Sequence, residues 1–348
     1  MGVGILGYGV YIPKYRIKAE EYTRAWGYFA APGVSEKSVP RHDEDAVTMA
    51  VEASRNAMKR AGIEPAQLNA VYMGSSSSPY GEKLVSSTIA TAIGVPKDVC
   101  VSDFGASAKA GTAALLSCID LVGSARGKYG LAVGSDCPVG RPGDDIEHAL
   151  GAGAAAYIIG SESLVANFEG AHSFGAENWG GRIRRDGIRF VEDPGIARLR
   201  EIEYEQSLAS AAGGLMRKIN LKPENFSHAV LQQPDARFPL RAARVLGLTE
   251  GQISTGLVAP GLGDTGTSSP LIGLAAVLDK ARPRERLLVV SYGSGAGSDA
   301  LAFGIEQGIE DSRTKAPLVD DYLMDKQYVD YLTYLRWRRV LTRDREAS

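Results

Sequence analysis

The feature of this sequence that most constrains its fold is an internal repeat. The segments KRAGIEPAQLNAVYMGSS and RKINLKPENFSHAVLQQP, which begin at residues 59 and 217, share a helix end, a proline and a strand-like run. The segments that begin at residues 110 and 265 share a Gly-Thr pair that opens a small-residue helix, then a basic turn and a buried strand. Two matches in one order, at offsets of 158 and 155 residues, favour a duplicated α/β unit over a short-period solenoid. Chance similarity between generic α/β segments is the alternative.

Helix and strand signals alternate through each copy. An acidic start at Asp43 to Asp45 leads into VTMAVEASRNAMKRAG, where apolar residues and alanine recur at three- and four-residue steps before Gly62. This pattern predicts a helix. The short apolar runs AVYMGS, GLAVGS, AAYIIG and LLVVSYG, all bounded by glycine, predict buried strands. The alternation predicts a layered α/β/α arrangement.

The tail of the chain differs in character from the body. From Glu310 a polar, proline-containing linker leads into a stretch in which Tyr328, Tyr331, Leu332 and Leu335 recur at helical spacing. We interpret this stretch as an amphipathic helix that packs its Tyr/Leu stripe on the body or on a neighbouring subunit; nucleic-acid binding is the other interpretation. The expected domains are an N-terminal half (1–165), a C-terminal half (166–309), and a linker with a C-terminal helix (310–348).

Composition and charge argue against several classes of protein. The 348 residues carry a formal net charge of −2 with mixed signs, which gives no field for gripping nucleic acid or an anionic membrane. No apolar run reaches the roughly 18 residues of a membrane span, and the start lacks the parts of a signal peptide, so we expect a cytoplasmic protein. Cys100, Cys118 and Cys137 are too scattered for a disulfide framework or a metal site. We therefore expect free thiols and no metal.

Four stretches carry a resemblance to a known family. GILGYGVYIPKYRIKAEEY, SEKSVPRHDEDAVTMAVEASRNAMKRAGI, QQPDARFPLRAARVLGL and SYGSGAGSDA resemble the archaeal and bacterial type of 3-hydroxy-3-methylglutaryl-CoA synthase, a branch of the thiolase superfamily. The resemblance extends over nearly the whole chain. It implies the five-layered α/β/α/β/α thiolase-like fold built from two similar halves, which agrees with the duplication. It also implies a homodimer whose active sites lie near the interface.

The chemistry of that family needs a cysteine that takes the acetyl group, a glutamate that removes a proton from the acetyl methyl, and a histidine that handles the acceptor thioester. The resemblance places these three residues at Ala108 in AKAGT, Ser76 in GSSS and Gln232 in QQP. A methyl group cannot form a thioester, and a serine hydroxyl is no base without an activating partner. The Gln232 amide cannot shuttle a proton, although its N–H groups can hold a carbonyl.

Two further positions bring in ionisable groups. The resemblance places an oxyanion-site asparagine at Asp264 and a tyrosine near the substrate at His148. For an aldol or retro-aldol reaction, His148 and Asp264 are the candidate bases, with Gln232 and Ser76 as the candidate donors to the enolate. The structural alternatives are a helix-face histidine that a neighbouring aspartate satisfies, and a turn or N-cap aspartate.

The frame of a thioester site is retained in the sequence. Candidates for binding the substrate or its coenzyme A part are Lys109, Gly111, Thr112, Tyr292, Gly293 and Ser294. Glycines let backbone N–H groups approach a ligand, and a helix N-terminus favours negative charge. The alternative is that these glycines serve only tight turns and helix–sheet packing. We expect a coenzyme A thioester as substrate and no permanently bound cofactor.

Two functions follow from the replaced residues. The first is an acyl-CoA enzyme of the thiolase superfamily, a lyase or transferase that makes or breaks a C–C bond without an acyl-cysteine intermediate. The second is a catalytically inactive subunit that scaffolds or regulates an active homologue, since the resemblance implies association with a thiolase and a small OB-fold/zinc-ribbon protein. Ordinary hydroxymethylglutaryl-CoA synthase activity is not expected, because it would need Ser107 in place of the missing thiol.

Overall fold

The computed structural model describes residues 2–341. The strands are β1 (Gly4–Tyr11), β2 (Tyr15–Lys18), β3 (Glu36–Val39), β4 (Ala70–Gly74), β5 (Cys100–Phe104), β6 (Gly130–Asp136), β7 (Gly153–Gly160), β8 (Ala166–Phe174), β9 (His228–Leu231), β10 (Arg286–Val290), β11 (Ser298–Ile305) and β12 (Gln327–Tyr328). The helices are α1 (Ala19–Trp26), α2 (Ala46–Ala61), α3 (Ser86–Ala92), α4 (Ala110–Gly123), α5 (Asp145–Ala149), α6 (Ala197–Ile219), α7 (Arg237–Val245), α8 (Glu250–Ser254), α9 (Ala259–Leu262), α10 (Ser269–Leu278), α11 (Ile309–Ser312), α12 (Val319–Met324) and α13 (Tyr331–Trp337). Among these helices, none is both long and apolar enough to cross a membrane.

The main sheet repeats one arrangement on its two sides. Its nine strands run in the order β5-β4-β6-β7-β1-β8-β11-β10-β9. On one side β4 and β6 are parallel and β7 is antiparallel to β6; on the other, β9 and β10 are parallel and β11 is antiparallel to β10. The strands β1 and β8 pair antiparallel where the two sides meet. The order is thus related about the centre in the way that a duplicated unit predicts.

Helices fill the space between and outside the two sides of the sheet. Every residue of α10 is buried, and its sequence SPLIGLAAVL is apolar on nearly all sides, as suits a helix enclosed by protein. It shares one hydrophobic core with α4 and with side chains from both sides of the sheet. A second core lies under α2 and α3, and a third under α6 and α7. Helices and sheet therefore alternate in five layers.

The helix predicted after the acidic start is α2, and the prediction is confirmed. The Asp45 carboxylate caps it by accepting hydrogen bonds from the backbone N–H groups of Val47 and Thr48 at 3.0 and 2.8 Å. The helix ends at Gly62, which takes the left-handed conformation with φ +68°. The four predicted strands correspond to β4, β6, β7 and β10.

The tail contains more secondary structure than the predicted linker and single helix. Tyr328 lies in β12, which pairs with β2 in a small sheet, so it does not share a helical face with Tyr331. The helix α13 begins only after Asp330, whose carboxylate accepts from the Thr333 N–H at 2.6 Å. It buries Tyr334 and Leu335 and leaves Leu332 exposed. Residues 342–348 of the predicted third domain lie outside the described residues.

Candidate active site

A cavity of about 310 Å³ opens beyond the carboxyl ends of the parallel strands. Open α/β sheets commonly bind ligands at this edge, and the volume is at the lower end of the range for ligand pockets. The predicted site residues on its wall are Ala108, Gln232, Asp264, Tyr292, Gly293 and Ser294. They come from both halves of the chain. The helix α5 and the segment from Gly181 to Arg200 complete the wall.

Ala108 lies on the wall between β5 and the start of α4. Its side chain is a methyl group, which offers neither a nucleophile nor a hydrogen bond. The neighbouring Ser107 hydroxyl lies close to Gly293, because a Cβ added there would stand 1.9 Å from its oxygen. Gly293 is thus a position where the backbone must approach closely. The cavity wall at residue 108 is therefore apolar.

Gln232 is fixed in place by hydrogen bonds at several atoms. Its side-chain N–H donates to the Gly266 carbonyl at 2.9 Å, and its backbone carbonyl accepts from the Tyr204 hydroxyl at 2.5 Å. Gly266 has φ +62°, and a Cβ there would stand 2.2 Å from an Asp136 oxygen, so this turn requires glycine. The turn therefore engages the side-chain amide nitrogen of Gln232, and a contact of this amide with a ligand stays a prediction.

Asp264 forms a buried ion pair with Arg182. One carboxylate oxygen accepts from Arg182 Nη1 at 2.5 Å, and the other accepts from the Gly266 N–H at 2.9 Å. Its main chain pairs with the end of α5 through Ala149 and Gly151. Burial raises the pKa of the Asp264 carboxyl above its usual range, and the nearby Arg182 charge opposes that shift only in part. The result is a fixed carboxylate with increased basicity.

Ser76 belongs to a polar cluster around Asp136 and is not among the residues that line the cavity. Its hydroxyl and its N–H both donate to the Asp136 carboxylate at 2.8 Å. Ser75 and Ser77 donate to the same carboxylate, as does the Thr267 N–H at 2.7 Å. Asp136 thereby joins the turn after β4 to the turn that carries Asp264 and Gly266. The structure gives the Ser76 hydroxyl a positioning contact, and its role as an enolate donor stays a prediction.

His148 lies behind the cavity wall, on α5. Its ring stacks on Phe29 with centroids 5.6 Å apart, and Nδ1 accepts from the Ala30 N–H at 3.0 Å. Burial, helped by the positive charge of Lys37, lowers the pKa of His148 to about 4. The imidazole is therefore neutral near pH 7. Ala30 lines the cavity, so His148 holds that segment in place, and a role as base stays a prediction.

Three of the predicted thioester-binding residues connect the two halves of the fold. Lys109 donates to Asp299 at 2.7 Å, and the Thr112 hydroxyl donates to the same carboxylate at 2.9 Å. At Gly111 an added Cβ would stand 2.7 Å from the Thr267 carbonyl. These contacts bring α4 against the second half. A contact of Lys109, Gly111 or Thr112 with coenzyme A stays a prediction.

Arg182 and Asp136 are residues that sequence reasoning missed. Arg182 lies 82 positions before its ionic partner, in the segment GGRIRRDG, where three arginines stand close together and nothing singles one out. Asp136 ends β6 and reads as an ordinary strand-end aspartate. The run of four serines from Ser75 to Ser78, of which the first three donate to Asp136, is the signal that could have pointed to a buried acceptor.

Known structures share this architecture. MvaS in complex with 3-hydroxy-3-methylglutaryl coenzyme A superposes with a TM-score of 0.87 and 20% identity, covering 100% of this chain and 94% of that one. The 3-oxoacyl-[acyl-carrier-protein] synthase III of Aquifex aeolicus gives 0.77 and 17%, covering 87% and 100%. The fold is thus the thiolase-like α/β fold, as predicted. The chain belongs to the class of thiolase-fold proteins.

Relatives in sequence narrow the class to a family. A hydroxymethylglutaryl-CoA synthase of Methanopyrus kandleri is 43% identical over 350 residues, which covers 97% of this chain and 98% of the relative. The synthase of Pyrococcus horikoshii is 44% identical over 345 residues, covering 97% and 96%. The chain therefore belongs to the hydroxymethylglutaryl-CoA synthase family of the thiolase superfamily. No protein-family model matches it.

These relatives correct one prediction made from the sequence. We expected no ordinary synthase activity, because the resemblance placed Ala108, Ser76 and Gln232 at the catalytic positions. That prediction is wrong: proteins 43–44% identical over almost the whole chain are hydroxymethylglutaryl-CoA synthases, which points to synthase activity. The prediction rests on three positions, whereas the likeness to the synthases covers 97% of the chain.

Proposed function

We propose that this chain joins the acetyl group of acetyl-CoA to acetoacetyl-CoA by aldol chemistry and forms 3-hydroxy-3-methylglutaryl-CoA, while the acetyl group stays on coenzyme A. The observation that carries this proposal is that Ala108, Gln232 and Asp264 line one cavity. Membership of the synthase family supports the class of reaction. The methyl group at residue 108 supports a route without an acyl-enzyme. Relatives solved with coenzyme A support the thioester as substrate.

The route balances without a cysteine. Asp264 takes a proton from the acetyl methyl, and the enolate carbon bonds to the ketone carbon of acetoacetyl-CoA, whose oxygen becomes an alkoxide. The protonated Asp264 then returns its proton to that alkoxide and is again a carboxylate. Water hydrolyses the acetyl-derived thioester, which releases coenzyme A and leaves a carboxylate. A buried carboxylate with a raised pKa is a better base than an exposed one. The Gln232 amide is the proposed donor to the enolate oxygen.

The test is an incubation with ¹³C-labelled acetyl-CoA and acetoacetyl-CoA, followed by mass spectrometry of the coenzyme A esters and of the intact protein. We expect labelled 3-hydroxy-3-methylglutaryl-CoA and a protein of unchanged mass. The matched variant is Ala108→Cys, which we expect to gain one acetyl group from acetyl-CoA alone. Ser107→Ala is the control for an acyl-serine and is expected to keep the activity.

Two results would contradict the proposal. An acetyl group on the wild-type protein would rule out the non-covalent route. Binding of acyl-CoA without any formation or cleavage of the C–C bond would instead favour the non-catalytic subunit that supports an active homologue. A thiolase and an OB-fold/zinc-ribbon protein stay predictions as partners.

We also propose that the chain forms a homodimer through β5. This strand is at one end of the main sheet, and its side chains are half-buried or exposed. An open strand edge presents unpaired backbone groups to a second chain. Leu84 is 45% exposed, and it precedes Val85, whose N–H donates to Asp103 of β5 at 2.6 Å. The edge of β5 and the Leu84 side chain together form the proposed dimer face.

A further inference from the structure

We propose that Arg182 binds the ketone oxygen of the 3-oxoacyl thioester and stabilises the alkoxide that forms there. This inference rests on the proposed function. The family's histidine position holds Gln232, whose amide carries no charge, so another group must meet the developing negative charge. The observations that support Arg182 are its place on the cavity wall, its ion pair and one unpaired nitrogen. Arg200 Nε also has no partner within residues 2–341, but the Arg200 side chain is more exposed.

Two arginines on the cavity wall are candidates for binding the alkoxide. The charged lining residues are Arg182, Arg200, Asp145, Asp193, Asp235 and Asp264. Arg200 pairs with Asp193, and its side chain is 30% exposed, whereas the Arg182 side chain is 16% exposed. A cation shielded from water acts more strongly on a nearby charge. Arg182 is therefore the better-shielded of the two arginines that line the cavity.

Arg182 has a donor to spare. Its Nη1 donates to Asp264, while its Nη2 is buried and has no hydrogen-bond partner within residues 2–341. Native proteins leave few buried donors unpaired, because each costs stability. An unpaired guanidinium nitrogen on a residue that lines a cavity indicates an acceptor that a ligand supplies.

The planar guanidinium of Arg182 places the proposed base, Asp264, next to the proposed alkoxide site. Its two terminal nitrogens share one carbon, so an oxygen that accepts from Nη2 lies next to the carboxylate that accepts from Nη1. The proposed base and the proposed alkoxide site are then held by one side chain. This spacing suits an aldol reaction, in which a proton leaves one substrate carbon while charge develops on the oxygen of the other substrate.

The test compares acetyl-CoA, which lacks the 3-oxo group, with acetoacetyl-CoA, by isothermal titration of the wild type and of Arg182→Lys. We expect the variant to bind acetyl-CoA within about threefold of the wild type and acetoacetyl-CoA about 10- to 100-fold more weakly. We expect kcat for condensation to fall about 10²- to 10³-fold, as when an oxyanion donor is removed. Arg185→Gln is the matched control on the same loop; its side chain is 68% exposed, and we expect no change.

A second variant separates the loss of the Arg182 contact from a loss of folding. Arg182→Gln alone leaves Asp264 buried without its cation, so the double variant Arg182→Gln/Asp264→Asn removes both charges and should show the same selective loss of acetoacetyl-CoA binding. Equal losses for both thioesters, or no loss for either, would overturn the role of Arg182 and leave the proposed function standing. Failure of the wild type to bind either thioester would overturn both proposals.

Discussion

Asp264 is held between two opposing electrostatic effects. Burial favours the protonated carboxyl, while the guanidinium 2.5 Å away favours the carboxylate. The Gly266 N–H fixes the second oxygen at 2.9 Å, so the carboxyl has little freedom to rotate. Burial is the larger of the two effects, so the pKa of the Asp264 carboxyl lies above its usual range.

His148 gives the residue-scale prediction, which concerns stability against pH. An unfolded histidine binds a proton below about pH 6.5, whereas burial holds the pKa of folded His148 at about 4. Between these values the unfolded chain binds more protons, so the free energy of unfolding falls as the pH falls. We expect a contribution of up to about 1.4 kcal/mol per pH unit between 6.5 and 4.

The measurement is urea denaturation of the wild type and of His148→Gln across that pH range. The glutamine can still accept from the Ala30 N–H, but it does not titrate, so the variant should show a shallower fall. Substitution of the exposed His42 by glutamine is the control, and its curve should follow the wild type. Parallel curves for the wild type and His148→Gln would refute the prediction.

At the residue scale, the sequence pointed to part of the site. Ala108, Gln232 and Asp264 all line the cavity, because each stands next to a strand end or helix start that the sequence pattern had located. Arg182 could not be found this way, since its role depends on a contact with a residue far along the chain. Ser76 was located correctly after β4, but the direction of its hydroxyl depends on Asp136.

At the element scale, α13 fixes α5 against the body. The Tyr331 hydroxyl donates to the buried Glu147 at 2.9 Å and accepts from the Trp26 side chain at 3.0 Å. Lys37 is also buried here and donates to the Glu147 carbonyl, and burial lowers its pKa to about 7. Because α5 lines the cavity, the tail supports the site from behind.

Tyr331→Phe tests this support. We expect the free energy of unfolding to fall by about 1.5–3 kcal/mol, because the buried Glu147 carboxyl loses a hydrogen bond. The measurement is chemical denaturation at pH 7. Leu332→Ala is the control on the same helix; Leu332 is 60% exposed and should change stability by less than about 0.5 kcal/mol. Equal effects of the two substitutions would contradict the anchoring role of Tyr331.

Elements with strong local signals were predictable, and those set by distant pairing were not. Asp45 caps the start of α2 and Gly62 caps its end, so the sequence pattern alone predicts this helix. Tyr328 fits a helical stripe equally well, yet its backbone pairs with Arg16 of β2. A two-residue strand has no periodicity to detect. Tertiary contacts therefore decided the structure of the tail.

At the scale of the whole molecule, the proposed dimer face gives the last prediction. Leu84→Arg puts a charge on that face in both copies, so two like charges approach across a symmetric interface. We expect the mass measured by light scattering at micromolar concentration to fall from two chains to one, with an unchanged circular dichroism spectrum. Val245→Arg changes an exposed residue of α7 and should leave the dimer intact. A monomeric wild type would refute the proposal.

The enclosure of α10 has a consequence for the origin of this fold. Every residue of that helix is covered, and much of the cover comes from the opposite half of the chain. A single copy of the repeated unit would leave one side of such a helix in water, at a cost that grows with its apolar area. The repeated unit therefore needs a second copy to cover this helix, and the chain supplies that copy itself.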